Sequence, residues 1–334
     1  MKLAWAAMGE APDLRRHAAA MERAGYDTLG AAELGHDAFI RTAILGEHTS
    51  RAELMTAIAV GFARTPMVLA MAAHDLNAQS RGRFVLGLGS QIKPHITKRF
   101  SMPWSKPAAR MREMIAAIRA IWDSFYEAAP LNFRGEFYTH TLLTPMFTPK
   151  DIQFGPPPIH LAAVGEQMTE VAGEVADGMI CHSFTTERYL KEVTLPALDA
   201  ALKRSGRDRT KFEISVGPHT AMGETPEQLA KAVQATKKQI AFYASTPAYR
   251  SVLELHGWGG LQDELNLLSK QGHWDGMADL ITPEILNTFA VVGSPADVAT
   301  EIGRRYRGIA DRVTAVFPVA DEKVPELLSK VRGG

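Results

Sequence analysis

Eight short apolar runs, each followed by a stretch with helical periodicity, constrain the fold of this chain more than any single motif. They cover residues 2–6, 27–32, 54–59, 84–88, 159–163, 178–182, 212–216 and 313–317. Most are apolar throughout and do not alternate, as expected of strands covered on both faces, the usual state of a parallel sheet under helices. Right-handed βαβ crossovers repeated eight times close on themselves. The pattern therefore predicts an α/β fold, a (β/α)8 TIM barrel, with a doubly wound open sheet as the alternative.

The helices carry readable start and stop signals. After Pro12 and Asp13, residues Leu14, Ala18 and Met21 share one face, and Gly25 is placed to end the helix. Met111, Met114, Ile115, Ile118 and Trp122 form a wider stripe in "KPAARMREMIAAIRAIWDSF". Thr225-Pro226-Glu227 and Ser294-Pro295-Ala296-Asp297 each offer a hydroxyl N-cap, a proline at the first helical position and an acid in the first turn.

A plain barrel needs about 250 residues, and this chain has 334. The surplus falls in two places, after the fourth helix at about 126–158 and between the seventh and eighth strands at about 242–290. Within the first, "LNFRGEFYTH" reads as a hairpin around Gly135. No repeat or linker divides the sequence, so 1–334 reads as a single barrel domain with two insertions.

Basic and acidic residues balance at 37 each, so no net field favours nucleic acid or an anionic membrane. One cysteine, Cys181, excludes an internal disulfide framework. No apolar run approaches 20 residues, and the short apolar start is a first strand, not a signal peptide. A cytoplasmic protein is expected.

In a (β/α)8 barrel the chemistry sits where the strands end at their C-termini. The exit of strand two carries Glu33, His36 and Asp37, and that of strand four carries Gly89-Ser90-Gln91. Val164-Gly165-Glu166 follows strand five, His182-Ser183 strand six and Pro218-His219 strand seven. His36, His182 and His219 would then face one cavity, and no HExxH-like spacing argues for a metal. The remaining histidines 74, 140, 160, 256 and 273 read as ordinary hydrogen-bonded side chains. Gly87 reads as relief of crowding inside the barrel, whereas Gly89 suits either packing or a ligand against its backbone. Strand five passes through Val164-Gly165 directly into a helix, whose free N–H groups form a ready anion site.

These segments together resemble the bacterial luciferase-like monooxygenase superfamily, and within it the oxidoreductases dependent on the deazaflavin coenzyme F420. The matching pieces are "AGYDTLGAAELGHD", "ELMTAIAV", "SRGRFVLGLGS", "IHLAAVGEQMTEVAGEVADGMICHSF" and "VVGSPADVATEIGRRY", spanning about residues 2–320. The resemblance implies a bulge with a non-prolyl cis peptide at Ala57-Ile58 behind the cofactor ring. It also implies ring contacts at Gly89, Ser90 and Gln91, phosphate contacts at Ala162, Ala163, Val164 and Gly165, and a wall completed by His182 and Ser183. Where some deazaflavin dehydrogenases have an Asp-His pair after strand two, this chain has Glu33-Leu34, with His36 two residues on. Where a sugar-phosphate-oxidising relative has an acid after strand four, this chain has Ile92.

The implied function is hydride transfer between F420 and a small organic substrate, with Glu33 or His36 handling the proton. Glu33 could instead be a structural carboxylate paired to an arginine such as Arg64. The alternatives are an FMN-dependent monooxygenase and a non-catalytic carrier of flavin or deazaflavin. The family also implies a homodimer, formed through helices beside strands two and three.

Overall fold

The computed structural model describes residues 1–274 and 276–333. Its centre is a closed barrel of eight parallel strands. These are β1 (Lys2–Ala7), β2 (Thr28–Ala31), β3 (Glu53–Thr56, resumed at Ala59–Val60), β4 (Phe84–Gly89), β5 (Ile159–Ala163), β6 (Gly178–Cys181), β7 (Glu213–Val216) and β8 (Arg312–Thr314). Each pairs with its sequence neighbours, β1 pairs with β8, and the β3–β4 register of Leu54↔Phe84 and Met55↔Val85 completes the ring. The open-sheet alternative is excluded by that closure.

The eight anticipated runs are the eight strands, with several ends shifted. The third run is interrupted at 57–58, the sixth ends at Cys181 before His182, and the eighth starts at Arg312 and stops at Thr314. Arg312, one residue before the anticipated run, points into the barrel and is almost fully buried. Its Nη2 bonds Glu53 Oε1 and lies 2.6 Å from Glu213 Oε1. Lys2 Nζ reaches the other oxygens of both acids, at 3.1 and 2.9 Å. The barrel's N-terminal end is thus plugged by ions drawn from β1, β3, β7 and β8.

Outside the strands lie α1 (Ala11–Ala24), α2 (Ala38–Glu47), α3 (Pro66–Gln79), α4 (Pro107–Tyr126), α5 (Gly165–Val175), α6 (Leu195–Arg204), α7 (Pro226–Ala244) and α8 (Pro295–Tyr306). Their ends follow the sequence signals. Gly25 ends α1 at φ 105°, a left-handed conformation open to glycine. Thr225 and Ser294 cap α7 and α8 through their hydroxyls. The predicted stripe of α4 is wholly buried. A further helix, Val324–Gly333, is tied to the barrel by Arg332, which donates to Gly25 O and Asp27 Oδ2. No helix among the described residues is long and apolar enough to cross a membrane.

The surplus segments are ordered against this frame. The hairpin Phe133–Arg134/Thr139–His140 turns at Gly135, and the Glu113 carboxylate of α4 accepts from the backbone N–H groups of Glu136, Phe137 and Tyr138 at 2.7–2.9 Å. A Cβ on Gly135 would stand 2.1 Å from Glu113 Oε1 and would displace the carboxylate from these N–H groups. The second segment packs Tyr249, Leu253, Leu265 and Phe289 against Phe184 of the β6 exit and Ile240 of α7 in a cluster separate from the main core. A parallel pair unseen in the sequence, His219–Met222 with Ala290–Gly293, brackets that segment.

Candidate active site

The C-terminal mouth of the barrel is organised around the break in β3. Ala57-Ile58 is a cis peptide. Where the β3–β4 ladder is interrupted, the Thr56 hydroxyl stands in for it, donating to Gly87 O at 2.8 Å and accepting from Gly87 N–H at 2.9 Å. Pairing resumes at Ala59↔Leu88 and Val60↔Gly89. On the other side Ala57 N–H donates to Ala31 O, and Glu33 N–H donates to Ile58 O.

Glu33 is buried and spent on this bulge. Arg64 grips its carboxylate with both Nη groups, at 2.7 and 2.9 Å, and Val60 N–H donates to Oε2 at 2.8 Å. Arg64 Nη2 also reaches Asp37 Oδ2 at 2.5 Å, while Asp37 Oδ1 caps α2 by accepting from Phe39 and Ile40 N–H. Burial works against the Arg64 charge, but bonding to Glu33 and Asp37 more than offsets it and raises its pKa. The pairing of Glu33 with Arg64, foreseen as one of two roles for that acid, is present. His36, by contrast, is half exposed and lies 3.4 Å from Glu10 Oε2.

Gly87 and Gly89 have packing reasons. A Cβ on Gly87 would collide with Thr56 O at 1.8 Å, and one on Gly89 would meet Ile58 Cδ1 at 2.8 Å. The bulge therefore lays the Ile58 side chain against Gly89 of β4. Beyond it, Gln91 takes φ 60°, unusual for a residue with a side chain. Ser90 Oγ donates to Gln91 O, and Gln91 Oε1 accepts from Ile92 N–H. Arg99 ties this loop to Leu34 O of the β2 exit.

At the β5 exit Ala163 is buried, Ala162 half buried and Val164 exposed. Helix α5 starts with no side-chain cap, and Gly165 takes φ 72° with open space where a Cβ would be. Its first N–H groups are free of side-chain acceptors, which leaves an anion-ready terminus.

The histidines fall into two groups. In the barrel order β1, β8 and β7 separate β2, which carries His36, from β6, which carries His182. His182 and His219 do share one partly buried cluster with Tyr243 and Tyr249. The His182 ring stacks on Tyr249 at 4.7 Å and meets Tyr243 edge-on at 4.7 Å, and His219 lies 5.9 Å from Tyr243. Burial pushes both imidazoles down to about 4. Ser183, beside His182, is half buried. Sequence reasoning missed both tyrosines, which carry no local signal of a site.

Of the other histidines, His74 bonds Tyr126 Oη and Asp151 Oδ1, and His256 bonds Thr186 Oγ1. His160 differs from the ordinary reading: it is buried, its Nδ1 has no partner, and burial pushes it down to about 3.

The sequence model of the luciferase-like monooxygenase family matches residues 4–312. The chain belongs to that family of enzymes. A Mycobacterium tuberculosis protein described as uncharacterized is 53% identical over 306 residues, covering 92% of this chain and 90% of that one. The F420-dependent glucose-6-phosphate dehydrogenase of Intrasporangium calvum is 29% identical over 233 residues, covering 64% of this chain and 67% of that one. Among solved structures, the coenzyme F420 dependent tetrahydromethanopterin reductase from Methanopyrus kandleri superposes with a TM-score of 0.80 at 19% identity, covering 98% of this chain and 97% of that one. That likeness speaks for the fold.

Proposed function

We propose that this protein is a coenzyme F420-dependent oxidoreductase that moves a hydride between the deazaflavin and a small organic substrate. The observation that carries the reading is the β3 bulge clamped by Glu33 and Arg64, facing the glycine exit of β4. A relative named for F420 dependence supports it. The residues fit such a cofactor: the uncapped start of α5 with open Gly165 suits its phosphate, and Ala162, Ala163 and Val164 continue that wall. Ile58 and Gly89-Ser90-Gln91 border the place for the ring, and His182 and Ser183 close the far side. When bound, a deazaflavin offers carbon where a flavin has its reactive nitrogen, which confines it to two-electron chemistry.

The two acid–base groups of the β2 exit divide the work in this reading. Glu33, with its oxygens engaged, keeps the bulge in shape. His36, exposed beside Glu10, is free to exchange a proton with solvent while the hydride moves.

Titrating the apoprotein by tryptophan fluorescence at two salt concentrations tests the assignment. F420 is expected to bind more tightly than FMN at both, with Glu33→Ala weakening F420 by about tenfold, ~1.4 kcal/mol. Tighter FMN binding at both salts would transfer the protein to the monooxygenase reading. In single turnovers against a substrate panel, His36→Gln is expected to bind F420 normally and to slow the chemical step by about 100-fold. An unchanged rate removes His36 from proton transfer, and no turnover of any substrate by the wild type would favour a carrier.

A second copy of the chain is the proposed partner. Ile40 of α2 and Val68 and Met71 of α3 are exposed, as are Leu142, Met146 and Phe147 of the neighbouring loop, and together they form an apolar surface beside β2 and β3. Light scattering at micromolar concentration is expected to give a dimer that Met71→Lys disrupts. A wild-type monomer would refute this.

A further inference from the structure

We propose that Tyr249 positions His182 as a neutral imidazole protonated at Nε2, so that the β6–β7 side of the mouth is an uncharged aromatic wall that receives a neutral group of the substrate, not a phosphate or carboxylate. The proposal rests on the barrel mouth being the substrate site of an oxidoreductase. The tautomer follows from hydrogen bonding. Phe184 N–H donates to His182 Nδ1 at 3.0 Å, so that nitrogen presents its lone pair. A neutral ring must then carry its proton on Nε2, which lies 3.1 Å from the Tyr249 hydroxyl oxygen and donates to it. Neither nitrogen remains to serve as a proton carrier or to grip an anion.

The surroundings keep the ring uncharged. Every element packed against it contributes neutral groups: Ser183 and Phe184 from the β6 exit, His219 from the β7 exit, Tyr243 from α7, and Tyr249 from the second surplus segment. Burial disfavours the imidazolium, and His219 adds repulsion to it. Behind, the Gln239 side chain favours the charged form of His219, but burial outweighs it, and His219 Nε2 is buried without a partner. No carboxylate contributes to the shift of either histidine. An anion brought here would lose its hydration without gaining a counter-charge, which is unfavourable. An uncharged carbonyl, hydroxyl or ring loses far less.

The tautomer is read directly from long-range 1H–15N spectra of cofactor-free protein labelled at histidine, from pH 6 to 8, with His182→Gln identifying the resonance. His182 is expected as one Nε2–H tautomer that does not titrate down to pH 6. Its Nε2 proton should be lost to solvent exchange in Tyr249→Phe, with the tautomer unchanged. Titration near pH 6.5, an Nδ1–H tautomer, or an Nε2 proton indifferent to Tyr249→Phe would overturn the positioning role, and the wild-type spectra decide the tautomer even if the variant does not fold. Added inorganic phosphate at millimolar concentration is expected to leave the His182 and His219 signals in place, and a saturable shift would refute the neutral wall. F420 takes no part in these measurements, so failure of the cofactor assignment and failure of this one are seen separately.

Discussion

Replacing Arg312 with methionine is expected to lower folding stability by about 3–5 kcal/mol, measured by urea denaturation. The guanidinium is buried and is the inner counter-ion of Glu53 and Glu213. Methionine would fill much of its volume next to Met55, whose sulfur Arg312 now touches at 3.6 Å. The two acids would be left facing one another with Lys2 alone, and Lys2 is half exposed, so it shields only their outer oxygens. The deficit therefore comes from stranded carboxylates and not from a lost bond, which gives the prediction a second arm. Adding Glu53→Gln and Glu213→Gln to Arg312→Met should recover most of the stability, because amides do not carry the charge that burial penalises. A single variant that loses less than about 1 kcal/mol, or a triple variant no better than the single one, would show that the plug does not depend on charge balance.

Acid should unfold the protein steeply below about pH 6. His160, His182 and His219 titrate in the folded chain at about 3, 4 and 4, in each case chiefly because burial disfavours the cation. In the unfolded chain each would titrate near 6.5. The unfolded state therefore binds more protons between about pH 6.5 and 4, so stability is complete above that window and falls as pH descends through it. Each fully protonated unfolded imidazole costs about 1.4 kcal/mol per pH unit, and three together give about 4 kcal/mol per unit. Denaturation midpoints collected from pH 7.5 to 4.5 should show this slope, and His160→Gln should reduce it by about a third. A stability flat from pH 7 to 5 would mean that these rings are protonated in the fold.

The strands were legible because a parallel barrel covers both faces of each, which leaves apolar runs such as 84–88 and 159–163 with little ambiguity. Where the barrel interior departs from hydrocarbon, legibility failed. The anticipated run began at 313, and only the acids of β3 and β7, distant in sequence, make the burial of Arg312 intelligible. The interruption of β3 was implied by family resemblance, but nothing local marks Thr56 as the residue whose hydroxyl completes the ladder to Gly87. Site positions at strand exits could be named from topology alone. Their states could not, since Glu33 is defined by Arg64 and His182 by Tyr249, each brought near by folding. The strand at 219–222 was hidden for a related reason: its partner at 290–293 lies beyond the whole second segment.

Tyr249 reaches the His182 ring from a segment that belongs to no barrel strand and packs in a cluster apart from the main core. The frame and the finish of this mouth are thus written in separate parts of the chain. Exchanging or trimming the outer segment would retune one wall while every strand register stayed as it is, so diversification here needs no change to the machinery that makes the molecule fold.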